Sequence, residues 1–236
     1  MSKRLIAMVC LLGVGNMIAY AGTPVETRVP VEHVFSPKGF DSNDNAEIVI
    51  SGFLPNLCHK SPRTKVIRSG KIVKVELTSL YYDASNPFCP EVVVPFVEVV
   101  KLGLLEKGNY KVVVNGGWAS DSRSGLQVTE APSEAIDDFV YAGVEYVEKT
   151  EGSRVVELKG YNPTDCYELD EVKYVDNGKD TLSVLPMMKR VREHCPMKMQ
   201  PFSYEWEVPK TLSAKKILLH VRRLQGGSVN SIFPNM

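Results

Sequence analysis

Apolar residues recur at every second position over much of the chain. Phe202, Tyr204, Trp206 and Val208 share one face of a strand, with Ser203, Glu205 and Glu207 on the other. Tyr110, Val112 and Val114 repeat the pattern after a Lys107-Gly108 turn. Ile48 with Ile50, and Val156 with Leu158, read as half-buried strands. Arg68-Ser69-Gly70-Lys71 and Asp176-Asn177-Gly178-Lys179 lie between β-rich runs, where Gly and Asn-Gly accept the positive φ of a tight hairpin. Long helical periodicity is absent. The best helical candidate, Ser133 to Val147, reads as a linker or a crossing strand. The pattern predicts an all-β protein.

Sliding the chain on itself reveals an internal duplication. At an offset of 108, Gly52-Phe53-Leu54-Pro55-Asn56-Leu57-Cys58 falls on Gly160-Tyr161-Asn162-Pro163-Thr164-Asp165-Cys166, sharing Gly-aromatic-x-Pro-x-x-Cys. Leu77 then falls on Leu185. Val73, Val75 and Leu77 alternate out of phase with Leu182 and Val184, which suggests a bulge in one copy. At an offset of 106, Cys89-Pro90 falls on Cys195-Pro196 and Pro95-Phe96 on Pro201-Phe202. At 107, Tyr110, Val112 and Val114 meet Ile217, Leu219 and Val221. Gly116-Gly117 and Gly226-Gly227 follow the last strands as turn residues. The offset changes where loops, which tolerate insertion, are expected.

Two copies with short, regularly spaced strands indicate tandem β-sandwiches of immunoglobulin-like or fibronectin-like organisation. The expected boundaries are 22–130 and 138–236, with a linker at 131–137. Cysteine spacings of 31 and 29 with no tryptophan between them do not match the antibody signature. Equivalent positions favour Cys58–Cys89 and Cys166–Cys195 among the three possible pairings.

The N-terminus adds a compartment. Lys3 and Arg4, an apolar run from Leu5 to Gly15, and Ala19-Tyr20-Ala21 have the form of a signal peptide over residues 1–21, with cleavage before Gly22. Cys10 would leave with it. An even cysteine count in the remaining chain fits an oxidising location, secreted or periplasmic. No usable Asn-x-Ser/Thr sequon is present, since Pro163 blocks the one at Asn162, and this favours a bacterial source. The 28 basic and 28 acidic residues argue against a protein that neutralises nucleic-acid phosphates. Outside the leader no apolar run is long enough to span a membrane, so the mature chain is not expected to cross one.

Three segments could carry chemistry. Asp41-Ser42-Asn43-Asp44-Asn45 resembles the Asp-x-Asn-Asp-Asn linker motif of cadherins, and the resemblance implies calcium at Asp41, Asn43 and Asp44. The alternative is an Asx-rich turn joining the first strands. His194, Met197 and Met199, with Met187 and Met188 upstream, form a soft donor set suited to cuprous copper, or adaptable packing. The loop from Leu80 to Phe88 is held at its end by Cys89. It offers Tyr81, Tyr82, Asp83 and Phe88 as contacts for a protein or glycan partner. His59 and His194 adjoin cysteines, but neighbours on a strand point to opposite faces, which argues against a dyad. His33 and His220 read as ordinary surface or strand residues.

No nucleophile elbow, zinc-protease helix or phosphate-binding glycine loop is present. The leading expectation is an exported, non-enzymatic binding or structural protein of the cell envelope with no cofactor. Its partner would be a protein or glycan. The second expectation is a metal-binding protein using calcium or copper, and the third a hydrolase using scattered carboxylates.

Overall fold

The structure, a computed structural model, describes residues 23–82, 88–118, 122–136 and 138–234. The leader at 1–21 and its cleavage site lie outside them. The first half carries β1 (Val25–Arg28), β2 (Val31–Phe35), β3 (Phe40–Asp41), β4 (Ala46–Leu54), β5 (His59–Ser69), β6 (Ile72–Tyr81), β7 (Val94–Gly103), β8 (Gly108–Val114) and β9 (Ser122–Thr129). The second carries β10 (Val144–Lys149), β11 (Val155–Asn162), β12 (Tyr167–Asp176), β13 (Thr181–Arg190), β14 (Gln200–Glu207), β15 (Lys216–Arg223) and β16 (Gly227–Pro234).

The chain is nearly all-β and forms two sandwich units. In unit 1 the sheet β2-β4-β7 faces β5-β6-β8-β9-β3, with β1 extending along β6. In unit 2 the sheet β10-β11-β14 faces β12-β13-β15-β16. Each unit has its own apolar core. One is centred on Ile48, Ile50, Val73, Val75, Leu102 and Val112, the other on Leu158, Leu182, Val184, Ile217 and Leu219. Most pairs are antiparallel, as expected of such sandwiches. The exceptions are the parallel pairs β6–β8, β13–β15 and β3–β9.

The duplication is visible in the pairing itself. Val73 lies beside Val112 in one unit and Leu182 beside Leu219 in the other. The Val29 amide donates to the Leu77 carbonyl, and the Ala142 amide to the Pro186 carbonyl. Leu77 therefore corresponds to Pro186, not to Leu185. Arg68 pairs with Val73 while Asp176 pairs with Leu182, so the extra residue that shifts the phase sits in the Asn177–Thr181 turn and not in a strand bulge. The motif glycines have a steric reason. A Cβ on Gly160 would overlap the Gly143 carbonyl oxygen, and one on Gly52 the Pro30 carbonyl oxygen. In both units the register of the neighbouring strand shifts at that crossing.

Among the described residues of 133–147 there is no helix, in line with the reading as a linker or crossing strand; its end is β10, preceded by a bridge between Tyr141 and Met187. Other expectations change in detail. Gly116-Gly117 and Gly226-Gly227 do not follow the last strands. They turn the chain into β9 and β16, with φ of 80° at Gly117 and 64° at Gly226. β4 is not half-buried. Ile48 and Ile50 enter the core of unit 1, but Glu47, Val49 and Ser51 are also buried, under unit 2.

Both bridges fall within units. Cys58 is bonded to Cys89 and Cys166 to Cys195, with Cα separations of 5.5 and 5.4 Å. Each closes a loop of about 30 residues, for which the chain-entropy model gives roughly 3–4 kcal/mol. Replacing Cys166 and Cys195 together by serine is expected to lower the stability of unit 2 by about that amount. Urea unfolding followed by Trp206 fluorescence measures it; an unchanged midpoint would show that the bridge adds nothing.

Candidate binding site at a disulfide-bound pole

The strongest candidate site lies where β4 ends and β7 begins. The chain turns sharply after Leu54, and the Asn56 side chain accepts from the Cys58 amide at 3.0 Å. The Leu57 amide donates to the Pro90 carbonyl and the Tyr82 amide to the Cys58 carbonyl. These bonds and the Cys58–Cys89 bridge hold three segments at one end of unit 1. Leu57, Cys58, Lys60, Tyr82 and Phe88 line an open cleft of about 540 Å³. Phe88 is 81% exposed, Tyr82 42% and Leu57 39%, and Val92 and Val93 are exposed beside them. An apolar patch of this kind around a braced turn is the usual mark of a contact surface.

Of the loop residues expected to make contacts, Tyr82 and Phe88 line the cleft. Tyr81 lies behind it, its ring 4.7 Å from that of His59. Asp83 lies outside the described residues. His59 Nδ1 is 2.7 Å from Ser79 Oγ, and burial lowers its pKa. His59 thus supports the pole from inside. Leu57, Lys60, Val92 and Val93 carried no sequence signal beyond their closeness to Cys58 and Cys89.

The corresponding pole of unit 2 has the same bridge and different chemistry. Asp165 stands where unit 1 has Leu57, and it pairs with Arg192 at 2.7 Å. Val191 stands for Tyr82, with its amide on the Cys166 carbonyl. His194 stands for Phe88. Met197 and Met199 are 87% and 61% exposed, on an irregular segment leading into β14 rather than on a strand. Met187 and Met188 are half-buried on β13, and Met188 packs against the core of unit 2.

The Asp/Asn turn lies against unit 2. Asp44 is buried and its carboxylate is gripped by Arg222 of β15, with Nη1–Oδ2 at 3.1 Å and Nη2–Oδ1 at 2.7 Å. Arg222 also stands over the rings of Phe40 and Tyr141. Asn43 Nδ2 donates to the carbonyls of Ser133 and Ala135. The turn therefore ties unit 1 to unit 2 and to the segment between them. Burial, then the neighbouring Asp44 carboxylate, raises the Asp41 pKa to about 6. Among the described residues no group of three or more His, Cys, Asp or Glu side chains converges as a metal site.

The two histidines read as ordinary are inter-unit contacts. His33 Nε2 lies 2.7 Å from Asp180 Oδ2, and Asp180 belongs to the lengthened turn of unit 2. Burial pushes the Asp180 pKa up, but hydrogen bonds from His33, Asn177 and Thr181 outweigh it and hold the pKa at about 2. His220 is fully buried between the units, beside Glu47, Asn230 and Phe40.

A family model described as the ORF11 beta-sandwich domain matches residues 48–123, which is β4 through the start of β9 in unit 1. No curated protein and no solved structure matches the chain. Among the described residues no helix is long and apolar enough to cross a membrane.

Removing one partner of a buried ion pair leaves a charge without compensation. Arg222→Met is expected to cost about 3–5 kcal/mol, and the double change Arg222→Met with Asp44→Asn clearly less than the sum of the single changes. Urea unfolding of the four chains checks this. Additive losses would mean that the pair is not coupled.

Proposed function

We propose that the chain is an exported, non-enzymatic binding protein of the cell envelope. It is built of two domains, 22–130 and 138–236, and docks a protein partner on the pole of the first. The reading rests on the contrast between the two poles. Both copies share the same turn and the same bridge, so the fold does not require an aromatic surface there. Unit 2 fills the equivalent positions with an ion-paired aspartate, a valine and a histidine, while unit 1 exposes Leu57, Tyr82 and Phe88 around a cleft. Apolar surface open to water at this pole is unfavourable, and a partner that covers Leu57 and Tyr82 recovers that burial.

The lining favours a protein over a glycan. Leu57, Val92 and Val93 surround the aromatic rings, and among the described residues of the lining Lys60 is the one that carries a charge. Sugar hydroxyls would need more hydrogen-bonding groups than these side chains supply. The two disulfides fit an oxidising compartment outside the cytoplasm.

The test is capture from envelope extract on the immobilised mature chain, with bound proteins identified by mass spectrometry. Phe88→Ala and Tyr82→Ala together are expected to reduce recovery of the specific partner at least about tenfold. Thermal stability should stay within about 0.5 kcal/mol, since the side chains face solvent. Equal recovery by wild type and the double variant would remove the pole from consideration.

A further inference from the structure

The contact between the two units holds a titratable group that the binding site does not use. β15 presents Ile217, Leu219 and Val221 to its own core and Leu218, His220 and Arg222 to unit 1. β4 meets it with Glu47 and Val49, and β16 contributes Ser228, Asn230 and Ile232. His220 lies at the centre of the polar part. Its Nδ1 is 2.9 Å from Asn230 Oδ1 and 3.5 Å from Glu47 Oε1, so Nδ1 carries the hydrogen. Its Nε2 is buried and has no hydrogen-bond partner. The Phe40 ring stands edge-on to it, with centroids 5.5 Å apart.

We propose that His220 is a proton-sensitive latch: neutral, it lets the two units close on each other, and protonated, it drives them apart. Protonation places a hydrogen on Nε2, where no acceptor waits, inside a contact sealed from water. It also sets a cation near Arg222. Among the described residues Glu47 is the one carboxylate that faces the ring, and its Oε1 is already engaged by Ser228 and Asn230. Asp44 is held by Arg222 and does not reach the ring. Asp41, next to Phe40, responds mainly to Asp44, Asp138 and Arg222.

Burial, the largest influence, together with Arg222 lowers the pKa of His220, while Glu47 and Asn230 raise it. In the opened state the ring returns to an ordinary value near ~6.5. Closure is therefore at full strength above that pH. It weakens as pH falls, by about tenfold in the opening equilibrium per pH unit, until the closed-state pKa is passed. Asp41, whose pKa burial and then Asp44 of its own turn raise to about 6, titrates in the same range and is present in every chain compared.

The experiment uses the full mature chain with Val49→Cys. Val49 is fully buried and packs with Phe35, Leu218 and Ile232, so its thiol reports opening of the contact. Alkylation rates are measured from pH 7.5 to 5, corrected for thiol ionisation with a short peptide, in this chain and with His220→Gln added. The ratio of the two rates is expected to rise about tenfold per pH unit below ~6.5, while Trp206 fluorescence stays native. The Asp41 contribution is common to both chains and cancels in the ratio. Coincident profiles would overturn the proposal, as would a thiol that reacts only when Trp206 reports unfolding. If His220→Gln does not fold, Glu47→Gln serves instead. It keeps the acceptor and removes the charge that favours the imidazolium, so, with rates followed to pH 4, the acid-induced rise should continue to a lower pH than in the parent; a rise that ends at a higher pH overturns the proposal equally.

Discussion

The structure depends on two strands that are buried on both faces. β4 belongs to the core of unit 1 and β15 to the core of unit 2, and their outer faces close against each other. A strand buried on both sides has no polar face to spend on solvent. Ala46 to Ser51 and Ile217 to Arg222 accordingly contain no exposed residue. The charged side chains they carry, Glu47 and Arg222, are neutralised or hydrogen-bonded across the contact. The Asp44–Arg222 pair is the part with the least freedom. A buried guanidinium without its carboxylate would have nowhere to place its charge.

This arrangement also fixes where the two poles lie. Glu47 meets His220 and, two residues on, Val49 meets Leu218, so β4 and β15 run in opposite directions across the contact. β4 runs toward the pole of unit 1. β15 runs parallel to β13, which ends at the pole of unit 2. The two bridges therefore sit at opposite ends. The surface proposed for a partner and the latch proposed for the seam are different regions, and changes at one leave the residues of the other untouched.

Duplication gives each feature an internal control. What both copies keep, such as Gly52 and Gly160 under a crossing carbonyl or the bridge at each pole, the fold requires. What they do not share has another origin. The one-residue insertion in the Asn177–Thr181 turn brings Asp180 to His33 of unit 1. The Asp/Asn turn of unit 1 carries the carboxylate that meets Arg222. These differences lie mostly on the contact, because identical units have no reason to present complementary surfaces until their sequences diverge. The difference at the poles has no such explanation in the contact, and it is the observation on which the binding role proposed for the first pole rests.

The all-β class, the duplication and both disulfides are legible along the chain. Alternation of period two, turn glycines and cysteine spacing are local or near-periodic signals, and each survives in one dimension. The sequence marked Tyr82 and Phe88 as contact residues because a loop ending in a bridged cysteine is tethered wherever it folds. What joins the units emerges on folding alone. His220 and Arg222 are separated from Glu47 and Asp44 by more than 170 residues, and no pattern along the chain announces a partner at that distance. The Asp41–Asn45 segment has the composition of an oxygen-rich loop. Which cation answers Asp44 is settled by which strand packs over it, and here that cation is a guanidinium.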